Sequence, residues 1–231
     1  MKDLSNTQKS TYLNMMRHKG EVLAKKVSLA ALALTMAMLI AGHGFADVTI
    51  SNSTFHENSA TLTNQWWPMY LGTAWTFKRT KGAFQGTTFT ISAVGAEAIY
   101  GVNCLKVRFE GLDGEFYYRW FAQDTSGSIQ AFKKSEPDGD IVVINSDDDL
   151  PNTYMPGRLS VGESWVAWSF DGHDAKTLSV ESDMAAIGSY RDCLKIKAVS
   201  VDGTTFHYYK RGLGLIAIES DSGDVGIRSD L

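Results

Sequence analysis

From residue 70 onward, apolar and polar positions alternate with a period of two in short runs. Leu105, Val107 and Phe109 alternate with Lys106, Arg108 and Glu110, the pattern of an extended strand with one apolar and one polar face. Asp113 and Gly114 follow, a pair suited to a tight turn that needs positive φ. This predicts strands over 115–123 and, after Gly127, over 128–132. Upstream, Trp75 and Phe77 share one face of a run over 73–79, and Thr87, Phe89 and Ile91 alternate with polar neighbours over 85–94. Runs at 163–170 and 176–182 flank Asp171 and Gly172, and 141–144 is a short apolar strand. Residues 147–157, with three consecutive Asp and two Pro, mark a connection, and 47–64 reads as an irregular arm or edge strand. No stretch keeps a helical period between start and stop signals; 96–100 and 182–189 each have room for one helical turn. The fold predicted is all-β and antiparallel.

The alternating pattern also returns. Cys104, Leu105 and Lys106 reappear as Cys193, Leu194 and Lys195; Val107 matches Ile196; Asp113 and Gly114 match Asp202 and Gly203; and Gly127 falls against Gly214. Gly72 and Trp75 are answered by Gly162 and Trp165. Landmarks repeated in one order predict an internal duplication, over about 66–135 and about 156–221. Each copy forms a three-stranded meander, and joining the two yields a curved sheet, half-barrel or sandwich that buries the apolar faces and protects the edges.

The first segment has a different character. Lys25 and Lys26 precede an apolar run over 27–41, and Gly44 and Ala46 offer small residues where a signal peptidase reads. This predicts a secretory signal over 1–46, with no membrane span after cleavage. The whole chain carries 22 Lys and Arg against 26 Asp and Glu. Six basic and two acidic residues leave with the signal, so 16 face 24 and the remainder has a net charge of −8. That disfavours nucleic acid and anionic membrane surfaces. A periplasmic or extracellular location follows, with 47–231 as a single β-rich domain. Cys104 and Cys193 stand at matched positions, and an exported chain permits either a disulfide between them or two separate thiols.

Gly72, Trp75 and Phe77, the central Cys104 to Val107 strand, and the closing run from Tyr208 through Lys210, Gly212 and Gly214 to Ile216 together resemble a group of bacterial exported β-rich domains of unknown function. The resemblance spans 66–219. It implies a curved sheet of the kind that also underlies periplasmic lipoprotein carriers, without the long extra helices of those carriers.

Candidate chemistry is sparse. His56, His173 and His207 lack the close pairing of a metal site and read as structural or surface residues. Asp147, Asp148 and Asp149 lack the spaced ligands and glycine of a calcium loop. No serine sits in a nucleophile elbow, and Gly212 and Gly214 open a strand rather than a helix. No catalytic residue, metal or cofactor is assigned. What remains is aromatic. Phe116, Tyr117, Tyr118, Trp120 and Phe121 place rings on both faces of one strand, and Phe206, Tyr208 and Tyr209 repeat this. Such a strand is either packed on both sides or lines a sheltered pocket. The functional expectation is an exported, non-catalytic binding or envelope-assembly protein, in which Tyr118, Trp120 and Tyr209 help line a cleft for a hydrophobic ligand or a partner segment. The alternatives are a hydrolase built from scattered carboxylates and a structural component of an envelope complex.

Overall fold

The alternating runs become thirteen strands in the computed structural model, which describes residues 54–110, 115–135, 141–143, 152–167, 176–201 and 203–231. They are β1 (Ala74–Lys81), β2 (Thr88–Ile99), β3 (Val102–Glu110), β4 (Phe116–Gln123), β5 (Ile129–Ser135), β6 (Ile141–Val143) and β7 (Asn152–Met155), then β8 (Ser164–Ala167), β9 (Lys176–Ile187), β10 (Tyr190–Ser200), β11 (Gly203–Lys210), β12 (Gly214–Ser220) and β13 (Val225–Arg228). All belong to one antiparallel sheet, ordered β6-β5-β4-β3-β2-β1-β13-β12-β11-β10-β9-β8, with β7 also pairing β5. β7 runs close to β8 at the remaining seam. The sheet therefore curls into an almost closed barrel, and the described residues include no α-helix. The predicted signal over 1–46, the turns at Asp113-Gly114 and Asp171-Gly172, His173, and Asp147, Asp148 and Asp149 lie outside the described residues.

Alternation decides which side chains enter the barrel. Leu105, Val107 and Phe109 of β3 point inward with Trp75 and Phe77 of β1, Ile91 of β2 and Phe121 of β4, and Leu194, Ile196 and Tyr209 join the same core from the other side. Parts of the opposite faces are covered as well. Cys104, Trp120 and Phe132 form an outer apolar cluster with Ile99 and Val102, against which Phe55 and Tyr118 pack. A second outer cluster joins Cys193, Tyr208 and Ala217. Trp120 and Phe121 of β4, and Tyr208 and Tyr209 of β11, are thus buried on opposite faces of their strands, while Phe116 is exposed.

The two single helical turns foreseen at 96–100 and 182–189 are strand instead. β2 continues to Ile99 because Ala96, Glu97 and Ala98 pair with Leu105, Cys104 and Asn103, and β9 continues to Ile187 opposite Tyr190. At the first of these hairpins Tyr100 and Gly101 both take positive φ, 50° and 79°, as the favoured two-residue turn requires. Two strands had no counterpart in the pattern. β7 lies within the stretch read as a connection, and β13 pairs both β12 and β1.

Irregularities recur at matching places. The β2–β3 ladder shifts register between Ala93 and Gly95, and the β9–β10 ladder does so between Val180 and Ser182. β4 shifts against β5 between Trp120 and Phe121, and β11 against β12 between Tyr208 and Tyr209. Each bulge adds one residue to one strand and sharpens its bend. Long flat strands are thereby turned into the walls of a barrel.

One end of the barrel is plugged by residues 62–69, where the end of the segment read as an arm runs on toward β1. Leu62 and Met69 bridge one another, and between them the chain turns Trp66 and Trp67 inward. Asn64 fixes the turn: its side-chain oxygen accepts the Trp66 N–H at 2.8 Å, and its amide donates to the Gly127 and Pro156 carbonyls at 2.9 and 3.2 Å. On the other half, the Gly212 N–H donates to the Gln65 carbonyl at 2.7 Å. Trp67 is fully buried, edge-on to Trp75 at 4.9 Å and to Tyr154 at 5.0 Å.

Candidate functional site

The plug does not fill the barrel. Beyond Trp67 lies a cavity of about 400 Å³, at the end framed by the close of β3, the start of β4, β9 and β11, and the β12–β13 turn. Its wall is largely aromatic. Phe109 and Tyr117 stack face to face at 5.0 Å, and Phe89 stacks on Phe77 at 4.8 Å. Ile91, Leu215 and Ile218 complete the apolar surface. This size lies within the range of small-molecule sites.

Charged and polar groups enter that wall from inward-facing positions. Arg119 of β4 lies over the Phe109 and Tyr117 rings, with centroids 5.2 and 4.9 Å from its guanidinium carbon. Arg79 of β1 lies over Phe84 and Phe89 at 5.3 and 5.8 Å, and Lys176 enters from β9. Cations over ring faces are held by the ring quadrupole while keeping their charge. The carboxylates at the rim are engaged. Glu110 lies 3.6 Å from Arg108, while Asp224 accepts the Ala83 N–H at 3.0 Å and the Ser222 hydroxyl at 3.2 Å.

A hydrogen-bonded row runs along the inward face of β11. His207 has Thr205 Oγ1 3.2 Å from Nε2 and the Tyr209 hydroxyl 3.4 Å from Nδ1, and the Tyr209 and Tyr154 hydroxyls bond to one another. The imidazole borders the cavity, so it is only partly covered, yet protein surrounds it. Desolvation lowers its pKa to about 4, helped by the nearby charges of Lys176 and Arg119. It is therefore a neutral donor and acceptor at physiological pH. Burial likewise pushes the Tyr154 and Tyr209 phenols well above their usual range.

Comparison with protein-family models, curated proteins and solved structures gave no match. The reading of the site rests on its geometry.

That geometry separates the residues expected to line one cleft. Tyr209 is buried in the inner core, whereas Tyr118 and Trp120 face outward on β4. Trp120 donates its indole N–H to Glu97 at 2.7 Å, and the Lys106 and Lys133 ammonium groups lie 5.0 and 4.4 Å from its ring centroid. Lys133 also pairs with Glu97 at 3.0 Å, and its hydrogen bond, ahead of that of Trp120, holds the Glu97 carboxyl below its usual pKa. This is a capped outer cluster, and the three rings form no common cleft. The inward residues Tyr117, Arg119 and His207 take the place assigned to them.

Cys104 and Cys193 are both free thiols, fully buried in the two separate outer clusters. A bond between them is not formed, because each strand turns its cysteine to its own outer cluster. Burial pushes the Cys104 thiol up to about 12 and also raises that of Cys193, which suits inert structural cysteines.

Proposed function

We propose that the chain is an exported, non-catalytic binding protein that holds a small ligand inside its barrel, and that the barrel arose by duplication of one meander unit. The observation that carries this reading is the cavity of about 400 Å³ between the Trp67 plug and the open end of the barrel. A packed interior leaves few voids larger than a water molecule. A space of this size, walled by stacked rings and reached by a few convergent polar groups, has the anatomy of a ligand site. Support for duplication comes from the matched bulges at Ala93/Gly95 and Val180/Ser182, and at Trp120/Phe121 and Tyr208/Tyr209. Export rests on Lys25, Lys26 and the apolar run over 27–41, with Gly44 and Ala46 as the cleavage signal. The motifs at Gly72, Trp75 and Phe77, at Cys104 to Val107 and at Tyr208 to Ile216 add the resemblance to bacterial exported β-rich domains.

Titration with uncharged N-phenylnaphthylamine, whose fluorescence rises in apolar surroundings, tests the binding reading. The protein is expected to take up the probe, and Ile218→Trp, which places an indole in the cavity, is expected to abolish uptake while thermal unfolding stays cooperative. Probe uptake unaffected by Ile218→Trp, or no uptake at all, would remove the cavity as a binding site.

A further inference from the structure

We infer that the barrel cavity takes an uncharged guest: a flat apolar body with one neutral polar group, a carbonyl, a hydroxyl or an N–H, received by Thr205 and His207. This rests on the binding reading above and adds the chemical class of the guest and the residues that select it.

The inward face of β11 carries the argument. Thr205, His207 and Tyr209 stand opposite Ala198, Ile196 and Leu194 of β10, which belong to the inner core, so all three turn into the barrel. With Tyr154 they form one row of hydrogen-bonding groups set among rings and aliphatic side chains. The Thr205 end opens on the cavity, and the Tyr154 end lies against the Trp67 plug at 5.0 Å.

Counting protons shows what this row can do. Neutral His207 carries one, as does each hydroxyl, so the four groups bring four protons to the three links between them. One proton is in excess, and the tautomer of His207 decides on which side of the ring it stands. With the proton on Nε2 the ring donates to Thr205, and the Thr205 hydroxyl can then donate to a guest carbonyl. With the proton on Nδ1 the ring accepts from Thr205, and a lone pair of the Thr205 oxygen can accept a guest O–H or N–H. One position thus meets either kind of neutral group. The links at the ring are also long, 3.2 Å to Thr205 and 3.4 Å to Tyr209, at or beyond the far end of ordinary hydrogen bonds. A guest that forms a shorter bond gains more than the row gives up.

The charged groups at the cavity already have partners. Arg79 and Arg119 lie over ring faces, and Arg119 and Lys176 engage further groups of the protein. Glu110 faces Arg108, and Asp224 accepts the Ala83 N–H and the Ser222 hydroxyl. A charged guest would have to draw one of these out of its contacts or remain unpaired in a partly dry space, which is costly. A purely apolar guest would instead displace water from the Thr205 hydroxyl and put nothing in its place. A guest with one neutral polar group avoids both costs, while the stacked Phe109 and Tyr117 rings and Ile218 receive its apolar body.

The test uses guests of one shape. Fluorene, fluorenone and carbazole share a flat tricyclic skeleton whose bridge carries no polar group, a carbonyl and an N–H respectively, and fluorene carboxylate adds an acidic group to it. Each is titrated into the full chain loaded with N-phenylnaphthylamine, and displacement is read as loss of fluorescence. The three uncharged guests are expected to displace the probe, and the carboxylate to displace it least. Thr205→Val, which exchanges the hydroxyl for a methyl of the same shape, should weaken fluorenone and carbazole about fivefold each and leave fluorene within about twofold, as the loss of one hydrogen bond implies. His207→Leu should do the same, and Thr205→Ser should keep most of the parent affinity. If His207→Leu does not fold, Thr205→Val and Thr205→Ser decide, because Thr205 is partly exposed. Where probe uptake is lost in Ile218→Trp, three results overturn this inference and leave the binding reading standing: no displacement by the uncharged guests, tightest displacement by the carboxylate, or a Thr205→Val effect on neither or only one of fluorenone and carbazole. No uptake of N-phenylnaphthylamine, or uptake unaltered by Ile218→Trp, overturns the binding reading and this inference with it.

Discussion

His207 sits on the inward face of β11 between Thr205 and Tyr209, with a hydroxyl near each ring nitrogen. Desolvation, then the charges of Lys176 and Arg119, lower its pKa from 6.5 to about 4. The sign of the linkage follows. The unfolded chain takes up a proton as pH falls through about 6.5, whereas the folded chain resists until about 4, so the unfolded state binds more protons in that window. The contribution of neutral His207 to stability is fully present above about pH 6.5 and is lost as pH falls through about 4. His207→Gln is expected to unfold with a flatter pH dependence than the parent across that window, in paired thermal melts. Parallel curves would show that the ring is not held neutral by the fold. The sequence disclosed less here. Rings and charges on both faces of β4 and β11 leave no apolar side by which to choose the inner one, so Arg119 and His207 could not be told from solvent-facing residues. Tyr118 and Trp120 were assigned to a cleft for the same reason. A discriminating signal lay one strand away: Leu105, Val107 and Phe109 fix the inner face of β3, and direct pairing across the ladder sets Phe121, Arg119 and Tyr117 opposite them.

At the scale of elements, hairpins and strands were legible because alternation and turn glycines are local. Neither β7 nor β13 carries a long alternating run, and each exists because its neighbours offer an edge to pair with. Gly214 shows how a turn and the core depend on one another. It begins β12 with φ at 83°, and an added Cβ would lie 2.7 Å from the Trp75 ring. Gly127 has nearly the same φ, 85°, but its nearest neighbour would be the Gly157 Cα at 3.8 Å. Gly127→Ala should therefore cost only the left-handed backbone, about 1–2 kcal/mol. Gly214→Ala adds overpacking against a buried indole, about 1–3 kcal/mol more. Denaturant midpoints of the two variants measure the difference directly. Equal losses would mean that Trp75 yields without cost, and that the turn and the core are not coupled as the geometry indicates.

For the whole molecule, repeated landmarks were readable along the chain, but closure was not, because closure depends on which strands meet where β1 adjoins β13 and where β7 approaches β8. The joints differ. β1 is bonded on both sides, to β2 through pairs such as Trp75 with Ile91 and to β13 through Lys78 with Ile227. β8 is bonded to β9, with Trp165 opposite Leu178, and on its other side it lies near β7 without a ladder among the described residues. β1 is also the longer of the two, eight residues against four. A short strand bonded on one side opens at lower free energy than a long one bonded on both, and hydrogen exchange reports that opening strand by strand. In the native protein, amides of Ser164–Ala167 are thus expected to exchange well before those of Ala74–Lys81, although Trp75 and Trp165 lie at matched points of their ladders. Occupation of the cavity by N-phenylnaphthylamine should slow exchange at the start of β9, where Lys176 borders the cavity, more than in β8, because the guest contacts the cavity wall and not the seam. Equal protection of β8 and β1 in the free protein would show that the barrel is hydrogen-bonded shut along both joints, and β7 and β8 would then have to be redrawn as neighbouring strands of a continuous ladder.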